Sequence, residues 1–361
     1  MHFRFITSTP LNVRQGSGTF AGITTLAKFL RLSGHVVEMI TPTLRFPVYT
    51  AQRLIFNETL RFSRQVPDSI TVGFDMDGYS VAGKRSSLHI ASIKGVIADE
   101  LGFERGITRA TMRIQALCEK HHVRRADLVI APSLYSAKRI QDLYGTPHQP
   151  RIVAEPIDLA EWRRLLELNP AQPGADKFTV LCVCRFYPRK RLHILLAAAE
   201  RLRPKIPGLE IRVVGDGPED ARLKAICKKK KLEGIVNWLG NVSQSELAAE
   251  YNRCHIFCLP SVQESFGIVF LEAMASGKMI VAARAAAIPE VVKHGLLANP
   301  DDDSSLADAI ERAYRDSAMR ASIAAAARQW LARFDGPLVA NEFLREVQAA
   351  ATAQQKGAHN H

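Results

Sequence analysis

Apolar positions along this chain fall into two alternating patterns. Short, nearly continuous apolar runs at 2–6, 35–40, 69–74, 88–93, 126–131, 178–184, 210–214, 255–259 and 279–282 have the length and composition of buried strands. Between several of them lie stretches with helical spacing, as at 19–32, where Gly34 supplies a stop before the next strand. This strand–helix–strand alternation predicts βαβ units and an α/β fold. At 361 residues the chain is too long for a typical single domain. The breaker-rich run Leu168-Asn-Pro-Ala-Gln-Pro-Gly-Ala-Asp176 marks a linker. The expected domains are 1–165 and 175–336, followed by a helix over about 337–352 and a flexible polar tail at 353–361.

The stretch 259–282 carries the most chemistry. Strand 255–259 ends at Pro260, and Glu264 follows in a loop. A helix starts near Gly267, since Ile268, Phe270, Leu271 and Met274 recur at helical spacing, and Gly277 is its stop. Ser265 can cap that helix, and Gly267 lets a ligand approach the backbone. A helix N-terminus offers amides and partial positive charge, so it can receive a phosphate. Glu264 lies outside that site and Glu272 two turns inside it. Carboxylates so placed can grip hydroxyl-rich groups on either side of a diphosphate. A capped core helix with two incidental glutamates is the simpler reading of the spacing alone.

The ordered run Glu264-Ser-Phe-Gly-Ile-Val-Phe-Leu-Glu272-Ala-Met-Ala-Ser-Gly resembles the E-x7-E signature of retaining GT-B glycosyltransferases of family 4 (glycosyl transferases group 1). The resemblance implies two Rossmann-like domains facing across a cleft, with the last helix crossing back onto the first domain. It implies transfer of a hexose-type sugar from a nucleoside-diphosphate sugar to an acceptor hydroxyl of a glycan, glycolipid or small molecule, with retention. Arg185 ends the strand at 178–184 and Lys190 follows five residues later. They resemble the family's Arg-x4-Lys phosphate pair, with Cys184 in place of the usual Gly. Two cations at the departing phosphate stabilise charge that grows in the transition state. With Glu264 near the donor sugar, Arg185 and Lys190 form the implied catalytic set.

The implied donor-binding residues are Ser265, Phe266, Gly267, Ile268 and Val269 at the helix start, with Glu272 on the ribose. Gly215, Asp216 and Gly217 resemble a family turn, and Gly240, Asn241 and Val242 the loop beside the nucleobase. Gly16 and Gly18 resemble the family's N-domain glycine loop. Asp75 and Asp77 end the strand at 69–74 and Lys94 ends that at 88–93, where ligands of open α/β sheets bind. These three are the acceptor and sugar candidates. Besides Cys184, two further sites depart from the family pattern: Lys94 stands where many members have His, and Glu155-Pro156 replaces Asn-Gly at the hinge.

Composition narrows the partners. With 47% hydrophobic and 23% charged residues the chain is an ordinary globular one. No apolar run approaches the roughly 20 residues of a membrane span and no signal peptide is evident, which gives a cytoplasmic expectation, extending to the inner face of the cytoplasmic membrane. The net charge of +12 favours acidic partners. Lys228-Lys-Lys-Lys231 reads as a solvated helix end without an aromatic RNA motif, so no nucleic acid is expected. Residues 49–64 read first as a core-facing helix and second as peripheral contact with an anionic membrane or a lipid-linked acceptor. Six cysteines form no disulfide pattern, and no aspartate-rich metal motif is present, so neither cofactor nor metal is expected. Three alternatives stand beside glycosyl transfer from a nucleotide: a nucleotide-sugar binder without catalysis, phosphorylase-like use of a sugar phosphate, and an NAD-dependent oxidoreductase. The last would use Gly16-Ser-Gly18-Thr-Phe-Ala21 with Glu38 about twenty residues on.

Overall fold

The computed structural model describes residues 1–9, 18–43, 48–62, 66, 69–83 and 87–359. They form two compact units. The first holds the N-terminal strand, Thr19–Pro156 and the helix beginning at Gly336, and the second holds Ile157–Asp335.

The first unit is built on a parallel sheet of β1 (His2–Ile6), β2 (Val36–Ile40), β3 (Ser69–Phe74), β4 (His89–Ser92), β5 (Leu128–Ala131) and β6 (Arg151–Ile152), in the order β2-β1-β3-β4-β5-β6. Parallel strands need crossovers that cover both faces, which is why the inner strands β4 and β5 are buried at every position. The helix Gly18–Leu32 seals one face with Ile23, Leu26 and Leu30, and the helix Gly336–His359 packs Val339, Phe343 and Val347 into the same core. Phe343 meets Phe3 at 5.9 Å between ring centroids. Helical backbone therefore extends past residue 352, where the sequence placed a tail. Alanine and glutamine dominate that segment, and both are strong helix formers.

The second unit repeats the plan with β7 (Phe178–Val183), β8 (Leu209–Val214), β9 (Val236–Gly240), β10 (Ile256–Leu259), β11 (Met279–Ala283) and β12 (Leu296–Ala298), all parallel, in the order β12-β11-β10-β7-β8-β9. The helix Leu159–Leu168 belongs here, so the second unit begins at Ile157 and not near the expected boundary at 165. Its Trp162 packs on Tyr251 at 5.6 Å and donates Nε1–H to Ser276 Oγ at 3.0 Å.

In each sheet one neighbouring pair of strands sends its crossovers in opposite directions: β1 and β3 in the first, β7 and β10 in the second. Crevices open beyond the carboxyl ends of such pairs. All six cysteines are free thiols, and Cys182, Cys227, Cys254 and Cys258 are buried. Among the described residues no helix is long and apolar enough to cross a membrane.

Candidate functional site

In the second unit the residues beyond β7 and β10 are locked to one another. The Arg189 carbonyl accepts from the Val262 amide at 2.9 Å and from Ser261 Oγ at 3.2 Å, which ties the two loops together. Beyond β7 stands Arg185, half-exposed and ion-paired with Asp216, whose carboxylate also accepts from Asn241 Nδ2. The turn after β8 is pressed onto this segment. Phe186 N–H donates to the Asp216 carbonyl at 2.7 Å, and Glu219 N–H to the Phe186 carbonyl at 3.0 Å. Gly215 makes that approach feasible: its φ is +117°, and a Cβ there would lie 2.0 Å from the Cys184 carbonyl oxygen. The Gly-Asp-Gly turn thus serves to bring Asp216 to Arg185.

The second cation, Lys190, closes the short 3-10 turn Pro188–Lys190. Its Nζ contacts Glu264 Oε1 at 2.5 Å, and both side chains are largely buried. Charge-assisted bonds of this kind are the strong ones. Four residues after Glu264 the helix Ile268–Ala275 begins, with Gly267 in the N-cap position at φ +91°. The N-cap therefore falls on Gly267 and not on Ser265. A Cβ at Gly267 would lie 2.7 Å from the Phe270 ring, so no larger residue fits without a shift. Glu272 lies half-buried on this helix. The Tyr251 hydroxyl is 3.1 Å from both Glu272 Oε2 and the Val269 carbonyl. Burial pushes the Glu272 carboxyl up to about 7, partly offset by the Tyr251 hydroxyl.

In the first unit the crevice between β1 and β3 is filled by a buried polar network. Asp77 is fully buried; its Oδ2 accepts from the Ser8 amide and hydroxyl at 2.7 Å each and from Arg53 Nη2 at 3.2 Å, and its Oδ1 from Asn57 Nδ2 at 2.9 Å. Arg53 also bonds Gln115 at 2.9 Å. With both oxygens so occupied, Asp77 is a structural anchor rather than the ligand-facing carboxylate that its strand-end position suggested. Asp75 is different. It is half-buried and adopts a left-handed φ of +55°, and its Oδ1 accepts from the Lys94 and Gly95 amides at 2.7 and 3.1 Å. Burial pushes its carboxyl up to about 6, against the opposing pull of Arg53 and the two amides. Its carbonyl accepts from His122 Nδ1 at 2.6 Å, so His122 Nε2 must accept the proton of His89 Nε2 at 2.8 Å. Burial keeps both imidazoles neutral, His122 down at about 4. This histidine relay holds the strained residue in place.

Lys94 does not end in open solvent. Its Nζ lies 2.9 Å from Glu155 Oε1, with side chains 7% and 5% exposed. Two of the departures from the family pattern are thus partners in one buried ion pair. Lys94→Met should cost roughly 3–5 kcal/mol because it strands the Glu155 carboxylate, whereas Lys94→Met with Glu155→Leu should recover most of that loss. Urea unfolding of the three proteins checks this. Equal losses in the single and double variants would show that the pair is not the reason.

The structure brings Arg185, Asp216 and Asn241 into one group and Lys190 with Glu264 into another, all beyond carboxyl ends of the second sheet. Gly16 lies outside the described residues, and Gly18 opens the helix Gly18–Leu32. Glu38 is mid-strand on β2, opposite Arg4, to which it pairs at 3.1 Å. A ribose-binding acid would stand at the strand's end. Arg53, Ser8, Tyr251 and Glu155 were missed from sequence. The signal for Ser8 was its place just after β1; Arg53 and Tyr251 left none, because their partners lie 24 and 21 residues away.

Residues 167–330 match the family model Glycosyl transferases group 1. The fold is GT-B: sucrose-phosphate synthase from Thermosynechococcus elongatus superposes with a TM-score of 0.80 at 20% identity, covering 98% of this chain and 99% of that one. Anabaena HepE in complex with UDP and glucose gives 0.70 at 19% identity, covering 97% and 100%. Among curated proteins, the GDP-mannose-dependent alpha-(1-6)-phosphatidylinositol monomannoside mannosyltransferase of Mycobacterium tuberculosis is 27% identical over 219 residues, 57% of each chain. The chain spans about half the length of the curated relatives it matches.

Proposed function

We propose that this protein is a retaining glycosyltransferase that moves a hexose-type sugar from a nucleoside-diphosphate sugar to an acceptor hydroxyl. The observation that carries this reading is that two ion-paired cations, Arg185 with Asp216 and Lys190 with Glu264, both stand beyond the carboxyl ends of the second sheet, the latter pair just before the helix start at Gly267. Each cation is matched to a carboxylate in this structure. A diphosphate entering the crevice would compete with Asp216 for Arg185 and with Glu264 for Lys190, and the freed carboxylates could then accept from hydroxyl groups. The amides of Ile268 and Val269 add donors at the helix terminus. Glu272, held by Tyr251, would accept from the ribose hydroxyls. Arg185 and Lys190 would supply the charge that stabilises the departing diphosphate, so the reaction is proposed to run without a metal ion. Support comes from the neighbouring structure that holds UDP and glucose and from the relative that uses GDP-mannose. Asp75 is the acceptor-side candidate that remains.

Calorimetric titration of UDP, GDP, ADP and NADH tests the reading. One nucleoside diphosphate should bind, and Glu272→Ala should weaken it by about tenfold or more. Binding should also strengthen as pH rises through about 7, because the ionised Glu272 carboxylate is the better acceptor and is fully present only above that point. Binding of NADH alone, indifferent to Glu272, would overturn the proposal. EDTA should leave product formation unchanged.

A further inference from the structure

We propose that the outward face of the helix Gly106–Arg125 docks the first unit on an anionic lipid bilayer. The helix is 20 residues long and divides into three faces. Gln115, Ala116, Glu119, His122 and Val123 are buried. Ile107, Ala110, Ile114 and Leu117 recur at three- and four-residue spacing and so form one stripe. They are not covered: Ile107 is 78% exposed, Leu117 68% and Ile114 46%. Beside them Arg109, Arg113, Lys120 and Arg124, spaced by four, seven and four residues, form a second, wholly basic stripe. The helix's sole acidic residue, Glu119, faces inward, so its outward surface carries one sign of charge. The neighbouring turn Leu60–Phe62 extends this surface. Phe62 is 90% exposed, and the charge of Arg61 acts on His121 at the stripe's far end.

A helix that pairs aliphatic side chains with a flanking row of arginines, and has its third face anchored in a protein core, suits the interface of an anionic membrane. The other occupants fit less well. A second copy docked symmetrically would bring two basic rows together. Nucleic acid gains little from isoleucine and leucine, since its bases stack on aromatic rings. The segment 49–64, the sequence's own membrane candidate, instead turns Arg53, Phe56 and Asn57 inward in the helix Tyr49–Thr59. The proposal stands independently of the chemistry assigned to the second unit.

Co-sedimentation of the full chain with vesicles tests it. Wild type should pellet with phosphatidylcholine vesicles containing phosphatidylglycerol and stay in solution with phosphatidylcholine alone. Ile107→Asn/Leu117→Asn and Arg109→Gln/Arg113→Gln should each lower partitioning by about tenfold or more, with circular dichroism unchanged because all four side chains are exposed. Wild type that ignores both vesicles overturns the proposal. So does an asparagine variant that pellets like wild type, since contact would then be electrostatic only, and so does a wild-type dimer that these substitutions dissociate.

Discussion

Lys190→Ala is expected to lower kcat by about a hundred- to a thousandfold, the usual loss when one donor to developing negative charge is removed. The lysine touches Glu264 across loops that leave different strands, so its position is set by the sheet and not by its own flexible stem. Because the charge it meets grows as the sugar departs, the loss should fall on kcat more than on KM. Lys190→Arg should not rescue fully, since a planar fork replaces a point charge in a buried contact. Steady-state kinetics with the nucleotide-sugar identified by calorimetry decide the matter. The variant also leaves Glu264 without its partner, so its thermal midpoint must be measured alongside. An enzyme that is stable and fully active would remove Lys190 from the mechanism.

The second large effect is expected at Asp77. Asp77→Ala removes one carboxylate that receives four hydrogen bonds and leaves the Arg53 guanidinium buried without its counter-charge. Breaking a buried pair from one side costs roughly 3–5 kcal/mol, a large share of the 5–15 kcal/mol typical of a domain. Arg53→Leu should be similarly damaging, and Asp77→Ala/Arg53→Leu less so than the two losses added together, because their partners are shared. Denaturant midpoints of the three variants test this. A loss below about 1 kcal/mol for Asp77→Ala would mean that water compensates the network.

The strands and the second unit's site were legible for the same physical reason. Parallel strands buried on both faces must be apolar at nearly every position, so β7, β10 and β11 stand out as runs, and the ordered stretch from Glu264 to Gly277 lies between two of them. Arg185 and Lys190 follow immediately after one such run, so their place beyond a strand's carboxyl end could be read directly. β6 and β12 were missed because two or three residues make too short a run to register, and β9 because its Asn237 and Gly240 read as a loop.

Other features lay in contacts that no local pattern records. Asp75 and Asp77 are two residues apart at one strand end and looked equivalent. Only packing showed Asp77 sealed by Arg53 and Ser8 while Asp75 keeps a strained, half-buried position on the His122–His89 relay. Lys94 and Glu155 each read as a separate departure from a family pattern, 61 residues apart, and folding made them one ion pair. The helix Gly106–Arg125 shows the same division. Its basic residues were countable in the chain, but which apolar residues face outward depended on where the buried third of the helix found its core. What the sequence by itself determined is most of the strands and which candidate residues stand at their ends, because periodicity and strand termini are local. Charge pairing, burial and exposed faces were decided by tertiary structure, because each depends on partners distant along the chain.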